Sequence, residues 1–260
     1  MRSEMNSPAT NGTGAAIMAE GLGKHYQLGE LHSLQQTVRR ILRRTGDAAQ
    51  PSIEALRDVN FEVRHGDAFG IVGTNGSGKS TVLQILAGTI LPTVGSLTVQ
   101  GRVLPLLAVG GCFHPELTGS ENVTLFGSSL GIPRSAIRQR LGAVAEFAEI
   151  EDHMETPIKR FSTGMISRLS FAIAMQFPAD IYVFDEVLAV VDGDFQARCL
   201  AEIAGLHAAG RTVIFVSHSL DQVAQVCETV MWLEQGEVKQ VGPAGEVLDA
   251  YSRIHADASE

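Results

Sequence analysis

Residues Gly73-Thr-Asn-Gly-Ser-Gly-Lys79-Ser80 spell G-x-x-x-x-G-K-[ST]. They follow an apolar run (Ala68, Phe69, Gly70, Ile71, Val72) and precede Val82, Leu83, Ile85 and Leu86, which recur at helical spacing. The octapeptide is therefore predicted to be a loop between a buried strand and a helix, the context in which this motif has a mechanism. Glycines let the backbone wrap closely enough for its N–H groups to face an anion. The following helix adds the partial positive charge of its N-terminus. The ligand predicted for such a loop is a nucleoside triphosphate, with Lys79 reaching the β- and γ-phosphates and the Ser80 hydroxyl on Mg²⁺. The plainer alternative is a glycine-rich turn that happens to hold a lysine, and it does not call for a strand on one side and a helix on the other.

The same alternation extends along the chain. Strand character marks Ile17 to Leu22, Ile53 to Val63, Gly95 to Gly101, Ile181 to Phe184 and Thr212 to Val216, and a hairpin pair at Val230 to Leu233 and Glu237 to Gln240. Helical periodicity marks Ser120 to Ile158 (broken near Gly131 and Pro133), Ser162 to Phe177, Phe195 to His207 and Leu220 to Cys227. Strands alternating with helices predict an α/β chain with a mainly parallel sheet. Leu31, Leu34, Val38, Ile41 and Leu42 give 31–44 the pattern of an amphipathic helix, with Arg39, Arg40, Arg43 and Arg44 crowding its end. Such a helix packs on its own domain, meets anionic headgroups or a phosphorylated lipid, or touches a partner protein.

Composition narrows the class. With 45% hydrophobic and 19% charged residues, the 260-residue chain can fill a core and is not disordered as a whole. A net charge of -9 argues against a nucleic-acid partner. Cys112, Cys199 and Cys227 are odd in number and far apart, as in reduced thiols of a cytosolic protein. No apolar run is long enough to span a bilayer, and Met1 to Ala16 is a polar tail without the hydrophobic centre of a signal peptide. Work at a membrane would then require a partner to hold the chain there.

Further carboxylates and a histidine stand at predicted strand ends. Asp180-Ile-Tyr-Val-Phe-Asp185-Glu186 is an apolar strand closing on two acids. At the C-terminal end of a parallel strand they would face the ligand crevice. Asp185 would hold Mg²⁺ and Glu186 would polarise the attacking water. Thr212-Val-Ile-Phe-Val-Ser-His218 ends in a histidine placed to meet the γ-phosphate and that general base. Ser162 caps the apolar helix that follows it, and the same helix N-terminus can point at a γ-phosphate held by a second copy.

These residues resemble the ATP-binding subunit of an ABC transporter, over Ile17 to Gly242. The resemblance implies a P-loop ATPase with a mainly parallel core sheet, an antiparallel β subdomain and a helical subdomain at about 112–178. It leaves 1–16 as a disordered tail and 243–260 as a C-terminal tail. It identifies Phe161-Ser162-Thr-Gly164-Met165 with the signature motif, Asp192 with the D-loop aspartate, His218 with the switch histidine and Tyr26 with the aromatic that stacks on adenine. Gly73, Asn75, Gly76, Ser77, Gly78, Lys79, Ser80 and Thr81 would bind ATP. Phe113-His-Pro-Glu-Leu-Thr-Gly-Ser-Glu-Asn122, the signature block with Arg168-Leu-Ser-Phe-Ala-Ile-Ala, and Asp185-Glu-Val-Leu-Ala-Val-Val-Asp192 are similar to polysaccharide and teichoic-acid exporters. So is the insertion between Tyr26 and the phosphate loop.

That resemblance implies a homodimer in which one copy supplies Tyr26, Lys79, Ser80, Asp185, Glu186 and His218 and the other Ser162 and Gly164. It implies a membrane-spanning permease partner, met by 113–122, and a lipid-linked glycan as cargo. The expected location is peripheral, on the cytoplasmic face of the inner (plasma) membrane. The competing classes are another ABC transporter cargo and a soluble ABC ATPase. Three departures stand out. Leu106 to Gly111 lacks the Q-loop glutamine, Val191 replaces a glycine, and Met165 replaces the signature glutamine. Some relatives also carry a carbohydrate-binding domain after the ATPase, near the point where this chain ends, so the resemblance implies that recognition of glycan termini is absent here or lies elsewhere.

Overall fold

The computed structural model describes residues 14–27, 52–106, 113–186 and 192–256. In chain order these are β1 (Ala15–Gln27), β2 (Ser52–Arg64), β3 (Ala68–Val72), α1 (Lys79–Leu86), β4 (Val94–Val99), β5 (Val103–Leu106), α2 (Gly119–Ser129), α3 (Arg134–Ala148), α4 (Thr163–Gln176), β6 (Ile181–Asp185), α5 (Gly193–Ala208), β7 (Thr212–Val216), α6 (Leu220–Val226), β8 (Thr229–Glu234), β9 (Glu237–Pro243) and α7 (Ala244–Ala256). One sheet is antiparallel, in the order β2-β1-β4. The other runs β5-β6-β7-β3-β8-β9, parallel except for the β8–β9 hairpin.

Period-two alternation sorts the central strands onto two cores. Tyr182 and Phe184 of β6 and Val213 and Phe215 of β7 pack with Phe171 of α4 and Phe195 of α5. Ile181, Val183, Ile214 and Val216 face the other way, onto Phe69 and Ile71 of β3, Leu83 of α1 and Phe61 of β2. Both faces are covered, which is why these strands are unbroken apolar runs in the sequence. Helices α2, α3 and α4 pack against one another on the first core.

The sequence expectations need correction at both ends and at one edge. Pairing with β2 continues to Gln27↔Ser52, so β1 outruns Ile17 to Leu22 and takes in Lys24, His25 and Tyr26. Its start at Ala15, with Ala16 fully buried, shortens the expected tail. Residues 243–260 are not simply a tail, because α7 buries Ala244, Val247 and Leu248 and sets Tyr251 edge-on to Trp232 at 5.6 Å. Strand β5 was hidden by Pro105, which is tolerated because β5 is an edge strand. Cys199 and Cys227 are buried free thiols, and burial pushes Cys199 up to about 12. No helix among the described residues is long and apolar enough to cross a membrane. The expected helix 31–44, Cys112, Val191 and the Q-loop stretch after Leu106 lie outside the described residues.

Candidate nucleotide site

The phosphate loop leaves the centre of the parallel sheet. Strand β3, between β7 and β8, delivers Gly73, and α1 begins at Lys79. A Cβ on Gly73 would stand 2.1 Å from the Leu233 carbonyl oxygen and 2.6 Å from Ser77 Oγ, so no side chain fits. Gly78 caps α1 at φ +109°, a left-handed conformation that favours glycine, with the Ala55 carbonyl 2.8 Å from where a Cβ would be. The back of the loop is tied down. Ser77 N–H donates to Thr74 O at 3.1 Å, Gly236 N–H to Ser77 O at 2.9 Å, and Arg57 N–H to Gly236 O at 2.8 Å.

Asn75, Gly76 and Ser80 are exposed, and Thr81 is half-buried in the first turn of α1. Lys79 is 6% exposed. Its Nζ folds back to donate to the carbonyls of Gly73 at 2.8 Å and Thr74 at 3.1 Å. Burial draws this ammonium below the usual lysine range, and the charges of Glu186 and Asp185 oppose the shift. The Ser77 hydroxyl is buried and has no hydrogen-bond partner among the described residues.

Asp185 ends β6, and its neighbour across the sheet is Val216, the last residue of β7. Val216 is in register with Asp185, while Ile71 of β3 is also paired with it. The acids, the histidine turn and the phosphate loop thus share one edge of three adjacent strands. Burial raises the Asp185 carboxyl, the Glu186 charge adds to this, and Lys79 and His218 act the other way. Glu186 is left-handed at φ +52°, at a cost of about 1 kcal/mol. Its N–H donates to Val216 O at 3.1 Å, and its Oε1 lies 2.8 Å from His218 Nε2. Ser217 Oγ donates to Gln222 Oε1 at 2.7 Å and accepts from Ser219 N–H at 3.1 Å, which fixes the turn bearing His218.

Tyr26 pairs with Ile53 of β2. Ala55, whose carbonyl abuts Gly78, is two residues further on, about 7 Å along the strand. Tyr26 is therefore on the strand pair whose β2 member abuts the phosphate loop. Ser162 and Gly164 are not brought there by any hydrogen bond among the described residues. Ser162 Oγ accepts from Met165 N–H at 3.2 Å and caps α4. Asp192 caps α5, accepting from Phe195 N–H at 3.0 Å, and pairs with Arg168, which holds its carboxyl below the usual range. Arg168 also pairs with Glu149 and lies over the Phe195 ring at 4.8 Å. The sequence signal for Arg168 is that it is the one charge between Ile166 and Phe177.

This donor set fits a triphosphate. Gly73 and Gly78 let the loop pack closely on the Leu233 and Ala55 carbonyls, the position of a Cβ on Gly76 is open, Ser77 holds a buried hydroxyl with no hydrogen-bond partner among the described residues, and the Lys79 ammonium donates to carbonyls of its own loop. The set also fits Mg²⁺, because Ser80 and Asp185 offer hard oxygens. No three His, Cys, Asp or Glu side chains form a metal cage among the described residues, so the ion would share phosphate oxygens.

A glycine cradle, a desolvated lysine and two acids at the end of β6, one strand beyond β7, define a P-loop nucleoside triphosphatase. The profile of the ABC transporter family matches residues 56–189. The chain is 41% identical over 202 residues to the O-antigen export system ATP-binding protein RfbB of Klebsiella pneumoniae, covering 78% of this chain and 82% of the relative. It is 42% identical over 203 residues to the teichoic acids export ATP-binding protein TagH of Listeria innocua, covering 78% of this chain and 60% of that longer protein. The chain belongs to the ABC transporter family, and it is an ATPase of that family. Its fold matches an ATP-binding cassette solved as a dimer in a post-hydrolysis state with ADP and Pi, at TM-score 0.73 and 22% identity, covering 88% of this chain and 98% of the other.

Proposed function

We propose that this chain is the ATP-hydrolysing subunit that powers export of a lipid-linked polysaccharide, of O-antigen, capsule or teichoic-acid type, through a separate membrane permease. One observation carries the ATPase half of this reading. Three adjacent strand ends gather Lys79, Asp185, Glu186 and His218, whereas Ser162 caps its own helix and bonds to none of them. The γ-phosphate is then covered by the Ser162 and Gly164 of a second copy. The cargo half is supported by the names of the relatives, whose similarity extends over most of this chain.

On this reading Lys79 exchanges the Gly73 and Thr74 carbonyls for phosphate oxygens and regains a counter-charge for its buried ammonium. Backbone N–H groups from Gly76 to Thr81 and the N-terminus of α1 cradle the phosphates. Asn75 and Gly76 shape the exposed side of that loop. Tyr26 stacks on adenine. Mg²⁺, when bound, neutralises charge on the β- and γ-oxygens, and Ser80 and Asp185 would hold it. Glu186 takes the proton of the attacking water as its oxygen bonds to the γ-phosphorus and the β–γ bridging oxygen leaves with ADP. His218 orients the Glu186 carboxylate. Asp192 joins the copy-to-copy contact.

The ATPase domain would span β1 to α7, with the helical subdomain at about 112–178 carrying the permease contact. Segment 113–122 suits that contact because it is a preformed surface. Asn122, 1% exposed, accepts from His114 N–H at 2.7 Å and donates to the carbonyls of His114, Leu117 and Thr118. A permease would hold the chain at the cytoplasmic face of the membrane. The test is reconstitution with a candidate membrane permease in liposomes. ATP turnover should rise on adding a lipid-diphosphate glycan, and Lys79→Ala should abolish both the basal and the stimulated rates. A purified, folded chain with no affinity for ATP in magnesium would overturn the ATPase reading. Stimulation by other cargoes but by no glycan would overturn the export reading.

A further inference from the structure

Lys24 lies two residues before Tyr26 on β1, and the two side chains meet on the same face of the strand. Lys24 Nζ donates to the Leu91 carbonyl at 2.9 Å and stands 5.2 Å from the centroid of the Tyr26 ring. The backbone beneath it is clamped to the start of β4. Thr93 N–H donates to Gly23 O at 2.8 Å, and His25 N–H donates to Thr93 Oγ1 at 3.1 Å. The intervening His25 turns its ring to Glu54, at 3.7 Å. Among the described residues no carboxylate lies within ion-pair distance of Lys24. Its ammonium therefore has a carbonyl and an aromatic face as partners.

A cation over one face of a phenol ring is held by the ring quadrupole. It occupies that face, so a stacked base would take the opposite one. It also draws π density from the free face, which weakens the repulsion that a stacked purine would meet there. We infer that Lys24 is a positioning residue for the nucleotide base: it holds Tyr26 as a one-sided platform and makes the free face a better surface for adenine. The inference rests on the reading of Tyr26 as the adenine contact.

Calorimetric titration of the full chain with ATP, and separately with tripolyphosphate, tests it. Lys24→Met keeps the aliphatic stem and removes the charge. ATP should bind about three- to five-fold more weakly to this variant, with KM raised and kcat at saturation retained, while tripolyphosphate binding is unchanged. Lys24→Arg should restore ATP affinity. In a Tyr26→Leu background, Lys24→Met should have no further effect. If Tyr26→Leu itself leaves ATP affinity intact, the Tyr26 reading fails and the inference with it. If Tyr26→Leu weakens ATP binding but Lys24→Met does not, the inference alone fails. If Lys24→Met weakens tripolyphosphate as much as ATP, the ammonium acts on phosphate and not on the ring, and the inference is overturned. Should Lys24→Met misfold by circular dichroism, Lys24→Gln supplies the same comparison.

Discussion

At the scale of single residues, the free site is built against its own stability. Asp185 is driven up first by burial and then by Glu186. A carboxyl whose value is raised on folding binds protons more readily folded than unfolded. Its ionised form at neutral pH therefore costs stability, and the cost fades as pH falls through the raised value. Asp185→Asn should raise the melting temperature of the nucleotide-free chain by about 2–4 °C, with the gap widest at neutral pH and closing as pH falls through the carboxylate range. The same variant should lose magnesium-dependent turnover. A variant that melts at or below the wild-type temperature at neutral pH would contradict the desolvation argument. Glu186 differs, being held left-handed with its Oε1 2.8 Å from His218. Glu186→Gln keeps the size and the hydrogen bonding but cannot take a proton. ATP turnover should fall by about a hundredfold or more while ATP binding persists, and a normal rate would remove Glu186 as the base.

At the scale of elements, what was legible in the sequence follows from how local each signal is. The loop from Gly73 to Ser80 with its strand and helix, the acids after β6 and the histidine after β7 are local patterns, and each can be read without knowing the fold. Ala244, Val247, Leu248 and Tyr251 also recur at i, i+3, i+4 and i+7, so the helical signal of α7 was present but lay beyond the recognised domain. The Gly236–Ser77 bond and the Arg168–Asp192 pair join distant segments and depend on tertiary placement, which no window of sequence carries. Helix α4 shows how an element can mask a site. Its cap, Ser162, explains itself through the bond to Met165 N–H, so capping and phosphate binding must be separated by experiment. Ser162→Asp keeps a capping oxygen and adds a negative charge. Its stability should match the wild type, whereas Ser162→Ala should lose about 1 kcal/mol. If Ser162 also faces a γ-phosphate, Ser162→Asp should lose most turnover despite its intact stability. Full activity in that variant would leave Ser162 as a cap alone.

At the scale of the whole molecule, the two halves of the proposed machinery sit on different elements of one core. Lys79, Asp185, Glu186 and His218 stand at or just beyond the C-terminal ends of interior parallel strands, and Ser162 at the N-terminus of a helix packed on that sheet. In the proposed symmetric pair both sites would close at once, because in a two-fold assembly each surface contributed by one copy is also received by it. This makes a complementation experiment decisive. Lys79→Ala spoils the phosphate loop, and Ser162→Asp spoils the surface offered to the partner. A dimer of either variant alone has two damaged sites. A mixed dimer has one site with both defects and one that is intact, formed by Lys79 of the Ser162→Asp copy and Ser162 of the Lys79→Ala copy. Mixing the two inactive preparations should therefore restore ATP turnover. Wild type mixed with Lys79→Ala provides the control, since that dimer also holds one intact site and reports whether a single site suffices. If the control dimers turn over ATP and the mixed variants do not, Ser162 does not act across the interface and the composite site is wrong.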